Sequence, residues 1–160
     1  MTSTDATMAA INEAVTLGRQ GDSATARKQL MALWETVGTT GDALHRCTLA
    51  HYLADLFDHA ADSLTWDVRA LDAADALTDE RAQREHASLS VAGFYPSLHL
   101  NLADNYRRLG AFDSAQRHLD AAEARVGALS DDGYGAGVRA GIANVRNALA
   151  EGSTQRLPTH

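Results

Sequence analysis

Hydrophobic side chains recur every three or four residues along most of the chain, which is the spacing of helices that bury one face. Leu30, Leu33, Trp34 and Val37 show this spacing in one early segment. No segment alternates regularly between apolar and polar residues, as a half-buried strand would. The pattern therefore predicts an all-α protein with eight helices, at about 8–20, 23–37, 42–57, 61–76, 79–91, 96–109, 113–127 and 132–150.

Glycine and aspartate mark the breaks between these helices. Gly21 and Gly110 each follow a predicted helix, and Asp22 is positioned to cap the helix after it. The connections are short, so neighbouring helices are expected to pack antiparallel as hairpins. The length fits one domain, predicted to span 1–151, and residues 152–160 are expected to form a flexible tail.

The predicted hairpins share a pattern of small, aromatic and glycine positions. In the clearest case, Ala103 and Ala115 allow two helices to approach closely, and Gly110 allows the tight turn between them. Tyr106 and Phe112 are expected to fill the wedge beside that turn. The first hairpin matches the same template at Ala14, Leu17, Gly21, Ala26, Leu30 and Leu33.

This pattern resembles the tetratricopeptide repeat, a helix–turn–helix unit of about 34 residues. The hairpin between these two matches less well, because Phe57, Asp58 and His59 stand where the turn glycine is expected. About one helix of sequence, at 79–93, is inserted before the hairpin of Ala103. The resemblance implies a right-handed α-α superhelix of about eight antiparallel helices, with the last helix capping the stack.

The resemblance also implies a function. Tetratricopeptide arrays generally bind protein or peptide segments without catalysis, in a concave groove lined by the first helix of each hairpin. Arg107 and Arg108 are expected to favour an acidic or mixed-charge segment. A clamp for a C-terminal carboxylate is not expected, because the lysines of that scheme are missing. Transferred position by position, the groove residues would be Arg19, Cys47, His51, Asp55, Ser97, Asp104, Arg107 and Arg108.

A histidine–carboxylate series supports a different hypothesis. His51, Asp55 and His59 follow one another at four-residue spacing, which places them on one face of a helix. Histidine and carboxylate ligands suit zinc or a similar ion, and an open zinc site activates water. The alternative function is therefore a metal-dependent enzyme centred on His51 and Asp55. A third hypothesis is a structural module that forms homo-oligomers through its outer helix faces.

Composition narrows the classes of partner. The net charge of −7 disfavours nucleic-acid binding, which needs a basic face. Cys47 is the only cysteine, so it cannot form an intramolecular disulfide. No apolar run is long enough for a membrane helix, and the first residues lack the features of a signal peptide. A cytoplasmic protein without cofactor, metal or membrane partner is expected.

Overall fold

The chain folds into eight α-helices and no strand over residues 5–158, which the computed structural model describes. The all-α prediction is therefore confirmed. None of the helices in this range is both long and apolar enough to cross a membrane. Two short 3-10 helices, Val91–Phe94 and Val126–Ala128, lie within connections between α-helices. The α-helices are α1 (Ala6–Arg19), α2 (Ser23–Val37), α3 (Ala43–Ala54), α4 (Ala60–Ala76), α5 (Asp79–Glu85), α6 (Tyr95–Arg108), α7 (Phe112–Ala124) and α8 (Gly133–Ala150).

Side-chain caps fix where several of these helices begin. The Asp22 carboxylate accepts a hydrogen bond from the Thr25 backbone N–H at 3.2 Å, and Asp132 accepts one from Gly135 at 2.8 Å. Each bond satisfies a backbone N–H that has no partner inside its own helix. All eight helices begin within two residues of the predicted positions, and five of them, α1, α2, α3, α5 and α8, have a side-chain cap at that start.

Three helices end at least three residues earlier than predicted. α3 stops at Ala54, α5 at Glu85 and α7 at Ala124, short of the expected ends near residues 57, 91 and 127. After α5, the backbone N–H of Val91 donates to the carboxylate of Asp79 at 2.9 Å. This long-range bond replaces a helical bond, so the segment after α5 turns back along the helix instead of extending it.

The helices pack in hairpins along the chain. α1 packs on α2, α3 on α4, and α6 on α7. α3 also contacts α1 and α2, α4 contacts α6, and α8 packs against both α6 and α7. Gly110 adopts a φ of +76° at the turn between α6 and α7, a conformation that strains residues with a Cβ. Three hairpins therefore follow one another, α5 is inserted after the second, and α8 covers the third.

α6 joins two clusters of buried apolar side chains. Leu30, Leu49 and Leu53 belong to the first cluster, which also receives Leu98 from the start of α6. Leu100 of α6 belongs to the second cluster. Burying one such leucine contributes roughly 1.5–3 kcal/mol. α6 thus connects the two clusters and packs against α4, α7 and α8.

A charged cluster fastens the inserted helix α5. Arg81 donates to Asp42 at 2.8 Å and to Asp5 at 2.9 Å, and His45 Nε2 lies 2.8 Å from the same Asp5 oxygen. Burial opposes the ionisation of Asp5, but bonds from His45, the Met8 backbone and Arg81 outweigh it and hold its pKa at about 2. The insertion is therefore tied to the starts of α1 and α3.

Candidate functional site

A cleft of about 440 Å³ opens beside α6, between α3, α4 and α8. Its walls combine apolar side chains such as Leu100 and Val138 with polar ones such as Asn101 and Asn105. A smaller cavity of about 240 Å³ adjoins it and shares His51, Ser97 and Tyr134 with it. Five of the eight predicted groove residues line the cleft, namely His51, Asp55, Ser97, Asp104 and Arg108.

The other three predicted groove residues do not line the cleft, which corrects their assignment to the groove. Arg19 is exposed at the end of α1 and lines neither cavity. Cys47 is only 5% exposed and lines the smaller cavity, because it faces the core beside Leu44. Arg107 is 0% exposed, since it lies beside the helix stripe of Ser97, Asp104 and Arg108 rather than on it.

Arg107 fastens the end of the described chain to α6. Its guanidinium donates to the backbone carbonyl oxygens of Ser153 at 2.7 Å and Gln155 at 2.9 Å. It also donates to Asp104 Oδ1, at 2.8 Å from Nη2 and 3.1 Å from Nε. Arg107 therefore connects two residues of the segment 152–158 to α6, within the stretch for which a flexible tail was expected.

This C-terminal segment forms part of the cleft wall. Arg156, Leu157 and Pro158 line the cleft, and Leu157 also packs on the second apolar cluster. Arg156 Nη1 lies 3.3 Å from Asp58 Oδ1 in an exposed ion pair. The cleft is thus already in contact with a short non-helical stretch of polypeptide.

Asp67 is a cleft residue that the sequence analysis missed. It lies within α4, is 2% exposed, and accepts a hydrogen bond from Asn105 Nδ2 at 2.6 Å through Oδ2. Its other oxygen, Oδ1, has no hydrogen-bond partner among the described residues. The sequence carries a signal for this residue. Asp67 is an acidic side chain at helical spacing from the small residues Ser63, Ala70 and Ala74, which form the buried stripe of α4.

The environment of Asp67 disfavours its charged form. Burial raises the pKa of the Asp67 carboxyl well above its usual range, and the negative charges of Asp55 and Asp104 raise it further. The hydrogen bond from Asn105 acts in the opposite direction but is outweighed. The cleft therefore contains a buried carboxyl group whose ionisation needs a positive neighbour.

His51 is a neutral group at physiological pH. Burial lowers the pKa of its imidazole, although the charge of Asp55 opposes this shift. Its Nδ1 atom is buried and has no hydrogen-bond partner among the described residues. His51 therefore adds an unpaired polar nitrogen to the cleft, not a positive charge.

The described side chains do not bring the predicted metal ligands together, and Cys47 is not a reactive thiol. Among residues 5–158, no group of three or more histidine, cysteine, aspartate or glutamate side chains is arranged to hold a metal ion. His59 lies at the start of α4 and does not line the cleft with His51 and Asp55. Burial raises the pKa of the Cys47 thiol to about 12, so the reactive thiolate is not formed near neutral pH.

Comparison of this chain with protein-family models, with curated proteins and with solved structures gives no match. The function is therefore argued from the geometry of the cleft. Three features of that geometry count most: the mixed apolar and polar walls, the buried Asp67, and the C-terminal segment held by Arg107.

Proposed function

We propose that this protein is a non-enzymatic binding module whose cleft receives a protein or peptide segment. The observation that carries the proposal is that the non-helical residues 156–158 line the cleft, next to the contact of Arg107 with the backbone carbonyls of Ser153 and Gln155. Backbone carbonyls are present in every peptide, so a surface that binds them is suited to extended polypeptide. Leu157 and Pro158 supply the apolar part of the same contact.

The arrangement of helices supports this proposal. Three hairpins in succession with α8 against the last one are what a short tetratricopeptide-like superhelix would contain. In such an array the first helix of each hairpin lines the concave side. α3 and α6 are the first helices of the second and third hairpins, and both contribute to the cleft. We therefore propose that the cleft is part of the concave groove of such an array.

Two glycines allow a direct test of the cleft. Gly137 lines the cleft, and Gly127 lies outside it in the 3-10 helix Val126–Ala128. A Cβ built at either position meets no atom within 4 Å, and neither glycine has a positive φ. Gly137→Trp should therefore fill the cleft, whereas Gly127→Trp adds the same side chain elsewhere.

The test uses a random-peptide display library selected on the immobilised full chain. The proposal predicts peptides that bind the wild type and the Gly127→Trp variant but not Gly137→Trp. Circular dichroism and a melting curve confirm that each variant remains folded. An absence of enriched peptides, or enriched peptides that bind Gly137→Trp as well as the wild type, would contradict the proposal.

A further inference from the structure

Three carboxyl groups from three elements line the cleft. Asp55 follows the end of α3, Asp67 lies within α4, and Asp104 lies on α6. They sit close enough that Asp55 and Asp104 raise the pKa of Asp67 by their charge. Negative potential is therefore concentrated where these elements meet.

Asp67 differs from the other two in its burial and its unmet hydrogen bonding. Only 2% of the residue is exposed, and Oδ1 has no partner among the described residues. Leaving a buried polar atom without a partner destabilises the fold. Such an atom beside a binding cleft indicates a donor on the bound partner, and the neighbouring carboxylates favour a donor that carries positive charge.

Among the described residues, the cations beside the cleft are bonded to groups other than Asp67 and Asp55. Arg107 pairs with Asp104 and binds the backbone of the C-terminal segment, so the charge of Asp104 is already offset. Arg108 donates to the backbone carbonyl of Asp58 at 2.8 Å, and Arg156 pairs with the side chain of the same residue. Arg107 is therefore not free to select an acidic segment, contrary to the expectation from the sequence, and the carboxyl groups of Asp67 and Asp55 are the ones available to a ligand.

We propose that the cleft contains a subsite for a basic side chain of the bound segment, with Asp67 at its floor and Asp55 and Asp104 beside it. This inference rests on the proposed peptide-binding function and specifies its ligand. An ammonium or guanidinium group donates to the unpaired Asp67 Oδ1, favours the ionised form of that carboxyl group, and lies beside the negative charge of Asp55. Arg156, Leu157 and Pro158 of the C-terminal segment line the same cleft, and the Arg156 guanidinium pairs with Asp58, which leaves Asp67 to a basic side chain of the bound segment.

The experiment compares two peptides that differ only in charge. The first is acetyl-Ser-Thr-Gln-Arg-Leu-Pro-amide, which repeats residues 153–158, and the second has citrulline in place of arginine. Each is titrated into the ¹⁵N-labelled full chain while backbone amide shifts are followed by NMR. The titration extends to millimolar peptide, because the chain's own segment competes at an effective concentration of that order.

The proposal predicts that the arginine peptide binds about tenfold more tightly than the citrulline peptide, as expected for a charge-assisted bond against a neutral one. Asp67→Asn should abolish this preference. Asp72→Asn makes the same charge change at an exposed position of α4 outside the cleft, and should retain the preference. If Asp67→Asn does not fold, Asp55→Asn at the exposed rim replaces it and should reduce the preference.

Equal binding of the two peptides in the cleft would overturn the basic subsite and leave the peptide-binding function standing. A preference for arginine that survives both Asp67→Asn and Asp55→Asn would also overturn it. If neither peptide shifts the cleft amides, the subsite is refuted. The library selection with Gly137→Trp then decides the peptide-binding function separately, because enriched peptides without arginine or lysine would support that function alone.

Discussion

Arg107 and Asp67 are both buried beside the cleft, but they satisfy their polar atoms to different degrees. Arg107 donates to two backbone carbonyls and to Asp104, whereas Asp67 accepts one bond from Asn105 and leaves Oδ1 unpaired. A buried charge is tolerated when it is fully bonded and is costly when it is not. Arg107 is therefore expected to stabilise the fold, and the unpaired oxygen of Asp67 is expected to weaken it.

Replacing Arg107 tests its structural role. Arg107→Met keeps a long side chain but leaves Asp104 and the carbonyls of Ser153 and Gln155 without their donor. We expect the free energy of unfolding, measured in urea, to fall by about 3 kcal/mol. Arg117→Met on the exposed face of α7 should change it by less than about 0.5 kcal/mol. Equal effects of the two substitutions would show that Arg107 does not fasten the C-terminal segment.

The pH dependence of stability tests the burial of Asp67. Its pKa is raised in the folded state, so above the ordinary value of 3.8 the unfolded chain releases this proton while the folded chain keeps it. This group therefore makes stability fall as the pH rises through the range between the two pKa values. Asp67→Asn removes that loss of stability. The Tm of the variant minus the Tm of the wild type should therefore be larger at pH 8 than at pH 5. A difference that does not change with pH would refute the raised pKa.

Helix boundaries that depend on neighbouring residues were predicted better than boundaries that depend on residues distant in sequence. The start of α2 at Ser23 was predictable because its cap, Asp22, is adjacent in sequence. The end of α5 at Glu85 was not, because it depends on the bond from Val91 to Asp79 and on the contacts of Arg81 with Asp42 and Asp5. Those partners are distant in sequence and have no periodic signal.

The anchoring of α5 can be tested by hydrogen exchange. Arg81→Gln removes the ion pairs with Asp5 and Asp42 but keeps a polar side chain. Backbone amides of α5 should then exchange about tenfold faster, which corresponds to about 1.4 kcal/mol of easier local opening. Arg84→Gln, on the exposed side of the same helix, is the control and should leave exchange unchanged. Similar exchange in both variants would mean that the charged cluster does not hold the insertion.

The contact between α6 and α7 depends on small residues. Ala103 and Ala115 are both fully buried, as the hairpin pattern predicts for a close contact between the two helices. Ala103→Leu should lower the free energy of unfolding by about 1–3 kcal/mol through overpacking. Ala140→Leu on the exposed face of α8 is the matched control and should have little effect. An unchanged Tm for Ala103→Leu would contradict the hairpin register.

For the whole molecule, the sequence predicted one side of the cleft and missed the other. The residues from α3 and α6, such as His51 and Asp104, were placed by the hairpin register and line the cleft. Asp67 was missed because α4 is the second helix of its hairpin and was expected to face only the core. The position of the C-terminal segment was missed because the segment has no helical pattern. The Arg107 side chain that binds it has backbone carbonyls as partners, and these cannot be identified from residue types.

The central claim is that the cleft beside α6 receives a segment of polypeptide. The most direct measurement is an NMR shift map of the labelled full chain with a peptide from the display selection. Binding in the cleft predicts that the amides of Ser97, Asn101 and Tyr134 shift together with those of residues 153–158, because the ligand and the C-terminal segment share one surface. Shifts confined to α1 and α2, or no saturable shifts, would contradict the claim.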